Sequence, residues 1–254
     1  MKRFIAFTRA LALIHLRNRT VLFWNLIFPV AMLVLYGTVF GGGSFTAGMP
    51  DDVNYINWIL PGVLVFNALA FGLITSSAMM MTMRENGVLR RLQATPMPAG
   101  QLVGAYLLVN VTIVLLQSLI IILAAVLLFD ADVTAAGLAM VVPMILVGII
   151  TFVAIGQIVS GLAPTAGVAL MAGQLIYFGM LFVTDMILPL EMLPGWLQRV
   201  AIYLPSYAVV QLVRPPLMSS ALSPQTGQYL AVAAVYALVA GVIAARLFRW
   251  SPRS

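Results

Sequence analysis

GAYLLVNVTIVLLQSLIIILAAVLLF, Gly104 to Phe129, contains no charged residue and no proline. As a helix rising 1.5 Å per residue it is longer than the roughly 30 Å hydrocarbon core of a bilayer. A stretch of that length and character reads as a membrane crossing. Moving outward in both directions, comparable runs recur at 21–40, 58–82, 136–161, 168–190 and 228–248. Of 254 residues, 63% are apolar and 8% charged, against about 25% charged in a soluble domain. The expected fold is an all-α integral membrane protein with six transmembrane helices in one domain over 1–254. Cysteine is absent, which excludes disulfides and thiolate chemistry.

The charges fall between the runs and orient them. With the N-terminus inside, Lys2, Arg3, Arg9, Arg17, Arg19, Arg84, Arg90, Arg91, Arg246, Arg249 and Arg253 all lie on the inner side. Glu85 is the only acid beside them. Asp51, Asp52, Asp130, Asp132, Asp185 and Glu191 fall outside or at the outer boundary. Basic residues flanking short loops set orientation, so both termini are expected to be cytoplasmic. The net charge of +6 is thereby explained by the membrane, and no nucleic-acid partner is expected. Acidic outer flanks likewise account for the Asp pairs without a metal site.

Leu193 to Val213 is apolar enough to suggest a seventh crossing. Pro194, Arg199 and Pro205 interrupt it, and an Arg near a span centre costs about 2.5–3.5 kcal/mol on the insertion scale. A seventh crossing would also place the basic tail outside. The segment 191–213 is therefore expected to form an extracellular re-entrant helical hairpin between spans five and six, with Trp196, Tyr203 and Tyr207 at interfacial depth. A surface loop anchored in lipid is the alternative.

Residues 1–20 differ from a signal peptide, because Arg9, Arg17 and Arg19 interrupt the apolar run. Phe4, Phe7, Leu11 and Ile14 share a helical face opposite Lys2 and Arg9, which predicts an amphipathic helix in the inner interface. His15, the one histidine, sits in this basic helix and is expected to be solvated.

The loop Met83-Arg84-Glu85-Asn86-Gly87-Val88-Leu89-Arg90-Arg91-Leu92-Gln93-Ala94-Thr95-Pro96-Met97-Pro98 reads as a turn and a short helix. Gly87 permits a change of direction, and Pro96 with Pro98 ends the helix. Val88, Leu89 and Leu92 form a small apolar face between charged edges. That is a suitable knob for a soluble partner, although a plain positive-inside loop would have the same composition.

Polar residues within the spans are few: Asn25, Asn67, Thr75, Ser76, Ser77, Asn110, Gln117, Gln157, Gln174 and Tyr177. Most are expected to hold helices together. Asn67, Asn110, Gln157 and Gln174 are the candidates for lining a path. No charge sits mid-span, so the proton relay or ion-pair ladder of an ion-coupled carrier is missing. A P-loop needs a lysine on the phosphates, and the only lysine is Lys2. No catalytic constellation of His, Asp, Glu or Cys is present.

Four pieces in order resemble the permeases of the type-2 ABC exporter family. They are the basic N-terminus running into Phe23-Trp24-Asn25-Leu26-Ile27-Phe28-Pro29, the Arg84-to-Pro96 loop, six spans, and Leu188-Pro189-Leu190-Glu191-Met192-Leu193-Pro194-Gly195-Trp196-Leu197-Gln198 followed by Leu204-Pro205-Ser206-Tyr207. The likeness covers nearly the full length and leans toward short permeases that export anthracycline-type antibiotics. It implies a single permease domain exporting a hydrophobic or amphipathic substrate (drug, antibiotic, lipid or glycan-linked compound) from a bacterial inner membrane. It also implies that 84–96 is a coupling helix contacting a cytosolic ATP-binding subunit through Arg84, Glu85, Gly87, Arg90, Arg91 and Leu92. Pro194, Trp196, Pro205 and Tyr207 would form the outer cap. ATP and Mg would be bound by that partner, two copies of which would join two permeases as a homodimer among membrane lipids. An ion-coupled transporter or a lipid scramblase without an ATPase is the competing reading.

Overall fold

The computed structural model describes residues 2–40, 55–93, 98–184 and 190–248, and every regular element among them is helical. In chain order these are α1 (Lys2–Arg17), α2 (Arg19–Phe40), α3 (Tyr55–Ala70) and α4 (Ser76–Glu85), joined by a π-helical turn at Phe71–Thr75. Then follow α5 (Val88–Gln93), α6 (Ala99–Phe129), α7 (Ala135–Leu162), α8 (Ala166–Val183), α9 (Gly195–Ala201), α10 (Pro205–Ser219) and α11 (Thr226–Leu247). The expected outer loop with Asp51 and Asp52, Thr95 and Pro96 of the coupling loop, Asp185 with Leu188 and Pro189, and Arg249 and Arg253 lie outside the described residues.

Among the described residues, five helices are long and apolar enough to cross a membrane: Tyr55–Glu85, Gly100–Phe129, Ala135–Leu162, Ala166–Val183 and Thr226–Leu247. The apolar part of α2, Phe23–Val39, is shorter. The fifth expected span ran to 190, but α8 ends at Val183, where Thr184 takes extended backbone angles. Hydrophobicity continues past that point and so could not mark the end.

Tyr55–Glu85 is the central helix, with 83% of its most apolar window buried inside the protein. Small residues let backbones approach closely where apolar side chains gain nothing by leaving lipid. That device is concentrated at the π-helical turn. A Cβ on Gly156 of α7 would collide with the Gly72 carbonyl oxygen, and one on Gly173 of α8 with that of Leu73. The Ser77 hydroxyl donates back onto this turn, to Leu73 O at 2.5 Å and Ile74 O at 3.1 Å.

α10 packs on α3, α7 and α11. A Cβ on Gly148, midway along α7, would meet Val209 at 2.6 Å, and one on Gly137, near the start of α7, would meet the Pro216 carbonyl oxygen at 2.5 Å. Thus the first half of α10 lies beside the middle of α7, and its last turn returns to the α7 N-terminus. There Thr134 and Ser220 hydroxyls meet at 2.5 Å. The segment is longer than 191–213, since α10 continues through Pro215 and Pro216 to Ser219. It packs on protein along its length, against α3, α7 and α11.

α1 departs from the expected face. Phe4, Phe7, Leu11 and His15 are turned inward, while Ile14 is exposed. Eleven residues make about three helical turns, so position 15 lies over position 4 and position 14 does not. His15 is therefore buried rather than solvated, with its Nδ1–H donating to Leu11 O at 3.1 Å and its ring 6.2 Å from that of Phe71. Burial holds its pKa below the ordinary histidine value, with the Leu11 hydrogen bond opposing the shift.

Candidate functional site: a docking turn and an aromatic cleft

The end of the molecule bearing α5 is basic. Arg90 and Arg91 are exposed on α5, and exposed Arg246 lies at the same end, where Leu247 meets Gly161 near Ser160 and Arg84. Asp130 and Asp132 lie at the other end, where the Asp132 N–H donates to Asn57 Oδ1 at 3.1 Å. The central helix stops at Glu85, and Gly87 turns the chain at φ 68°, a backbone angle that favours glycine. Arg91 Nη2 reaches back to Asn86 O at 3.0 Å and closes the turn. α5 then lies with Leu89 in the core and with Val88 and Leu92 packed against that core. Its outward surface is Arg90, Arg91 and Gln93. The apolar face predicted as a docking knob is thus turned to the protein itself, and the exposed surface is cationic.

Arg84 and Glu85 precede this turn and face elsewhere. Arg84 is 3% exposed, with Nη1 donating to Ser160 O at 2.7 Å and lying 3.2 Å from Met81 Sδ. Glu85 is exposed, yet its Oε1 accepts the Ala166 N–H at 2.8 Å. Of the six predicted partner contacts, Gly87, Arg90 and Arg91 lie at the outward turn. Arg84 does not, because its guanidinium is buried against α7, and Leu92 is half-buried.

At the middle of the molecule a cleft of about 470 Å³ opens between α2, α3 and α8. Trp24, Phe28, Phe66, Phe71, Tyr177, Phe178 and Phe182 dominate its walls, with Asn25, Asn67 and Tyr36 as polar points. Phe28 stacks on Phe66 at 5.8 Å, and Phe66 meets Tyr177 edge-on at 5.3 Å. Asn25 Nδ2 donates to Thr75 Oγ1 at 3.2 Å, which fastens α2 to the π-helical turn. Such a surface offers flat apolar area and a few hydrogen-bond points, the makings of a site for amphipathic molecules.

The four predicted path residues do not converge. Asn67 lines the cleft and donates to Gln117 Oε1 at 3.2 Å. Asn110 is fully buried and donates to Tyr106 O, one turn back, at 2.9 Å. Gln157 lines a separate crevice of about 180 Å³ between α4, α6, α7 and α11, and donates to Ser76 Oγ at 2.9 Å. Gln174 is exposed on α8 beside Met171, Leu175 and Phe178. The cleft aromatics were missed because they come from three separated segments. Pairs at helical spacing, Trp24 with Phe28 and Phe178 with Phe182, were the available signal.

At the start of α10, Pro205 is buried and Tyr207 half-buried, its ring 6.0 Å from that of Tyr229. Pro194 and Trp196 are exposed. Arg214, not singled out by its sequence, lies over the Trp58 ring at 4.8 Å.

The sequence model of the ABC-2 type transporter family matches residues 2–218. YvfS of Bacillus subtilis (strain 168) is 24% identical over 192 residues, covering 76% of each chain. The ycf38 protein of Cyanophora paradoxa is 26% identical over 210 residues, covering 79% of this chain and 69% of its own. Both relatives carry transport-permease names. With a matched segment running from α1 to the last turn of α10 and apolar helices of membrane-crossing length, the chain belongs to the ABC-2 type transporter family, as a multi-pass membrane permease.

Proposed function

We propose that the chain is the membrane subunit of an ATP-driven exporter that moves hydrophobic or amphipathic compounds outward through the α2–α3–α8 cleft. The observation that carries this reading is the cleft itself: about 470 Å³ and walled by aromatics from α2, α3 and α8. Family membership implies an ABC ATP-binding partner, and the cationic turn at Gly87, Arg90 and Arg91 is its docking surface. ATP and Mg belong to that partner. Nucleotide-driven movement at the docking turn then reaches the cleft through rigid helices.

In this reading α2 is the sixth span, and both termini are cytoplasmic in a bacterial inner membrane. The whole of 1–254 is one permease domain. α9 and α10 form a re-entrant outer cap, supported by the contacts of Val209 and Pro216 along α7. The working unit holds two permeases and two ATP-binding subunits. Exposed Gln174, at mid-span, supports a second copy against α8, because a polar side chain facing lipid is costly and one facing another helix is a common contact.

The test is co-reconstitution with the cognate ATP-binding subunit in proteoliposomes and a panel of fluorescent amphipathic dyes, including an anthracycline. ATP-dependent dye movement that falls several-fold in Phe178→Ala is expected. Movement unaffected by Phe178→Ala and by Asn67→Leu would remove the cleft from the path.

A further inference from the structure

Arg84 and Glu85 are adjacent in sequence and hold two different helix ends. The last carbonyls of a helix lack backbone donors and carry partial negative charge, whereas the first N–H groups lack acceptors and carry partial positive charge. α7 ends at Leu162 and α8 begins at Ala166, so their termini are separated only by Ala163, Pro164 and Thr165. The Arg84 cation donates to Ser160 O in the last turn of α7, at 2.7 Å. The Glu85 carboxylate accepts from Ala166 N, the first residue of α8, at 2.8 Å. Each charge has the sign that its helix end favours. The cation is buried and the anion is at the surface.

We propose that Arg84 and Glu85 are positioning residues that clamp the α7–α8 turn to the end of the central helix. Docking at α5 therefore moves α8 directly. This deepens the proposed coupling and rests on that reading. Three structural facts point the same way. Gly87 and α5 follow closely on Glu85, so force applied at Arg90 or Arg91 arrives at the clamp within six residues of chain. Above the clamp, the backbones of α7 and α8 are already pressed to the π-helical turn at Gly156 and Gly173. The α8 helix so held contributes Tyr177, Phe178 and Phe182 to the cleft. The docking turn and the cleft wall are thereby ends of one body.

The experiment uses the full chain, which has no cysteine of its own. Spin labels at Gln93→Cys and Gly167→Cys, both exposed, flank the clamp. A single narrow distance distribution is expected for the parent and for Glu85→Gln, whose amide oxygen still accepts the Ala166 N–H. Glu85→Ala should broaden it at least twofold; an unchanged width overturns the clamp. Arg84→Ala risks misfolding because Arg84 is buried, so Glu85 is the primary probe. In complex with the ATP-binding subunit, Glu85→Ala should bind within twofold of the parent. Its ATP-dependent shift between labels at Gly167→Cys and Leu127→Cys should fall at least threefold, with Glu85→Gln restoring it. Loss of binding in step with the loss of shift would overturn the proposal by making Glu85 a partner contact. If the parent binds no ATPase, the coupling reading fails, while the label width still decides the clamp.

Discussion

Gly156 and Gly173 are where single atoms decide the packing. Each abuts a backbone carbonyl of the π-helical turn rather than a flexible side chain, so an added methyl can be accommodated only by moving helices apart. Gly156→Ala or Gly173→Ala should cost at least the 1–3 kcal/mol typical of overpacking, read as a lowered unfolding midpoint in detergent. Gly179→Ala, with open space around its Cβ, should be neutral or slightly stabilising. His15 makes a second prediction at this scale. Its pKa is lowered in the fold, so between the folded and ordinary values only the unfolded chain binds the proton. Its contribution is complete above about pH 6.5 and is lost as pH falls below that value. The unfolding midpoint should therefore drop between pH 7.5 and 5.5, by less in His15→Gln. Neither role was legible in the sequence. A glycine in an apolar run does not say what backbone it faces, and His15 was assigned to solvent by its basic neighbours.

α5 shows what an element's pattern can and cannot settle. The turn at Gly87, the short helix and the cationic edge were readable from residue type and spacing. The direction of the apolar face was not, because Val88, Leu89 and Leu92 would look the same whether they met a partner or the protein's own core. Burial of Leu89 fixes the direction and yields a charge-based docking test. Arg90→Glu with Arg91→Glu should lower ATPase binding at least tenfold while leaving the unfolding midpoint unchanged, measured by pull-down titration and thermal unfolding. Retained binding would remove α5 from the interface. The break between α9 and α10 was legible from Pro194 and Pro205, but the length of α10 was not. Pro215 and Pro216 sit in its last turn, where packing on α7 supports a helix that the sequence alone would end earlier.

Across the whole molecule, apolar run length and charge distribution were enough to identify an all-helical membrane protein, because those two quantities are set by the bilayer rather than by tertiary detail. The cleft was hidden, since α2, α3 and α8 meet only through topology. The exposed polar Gln174 on α8 predicts the subunit contact. Leu175 is 76% exposed on α8, and in a chain without cysteine Leu175→Cys should cross-link two copies under mild oxidation, whereas Leu127→Cys, as exposed but on α6, should not. Equal cross-linking at both positions would signal random collision.

In the proposed reading this chain provides the path and a second protein the ATP hydrolysis, joined at the α5 turn. The most direct test is dye movement and ATP hydrolysis followed together in one proteoliposome preparation, with each protein omitted in turn. Movement is expected only when both proteins and ATP are present, and is abolished by the Arg90→Glu, Arg91→Glu pair. Equal movement without the ATPase, or movement driven by a proton gradient alone, would contradict that reading.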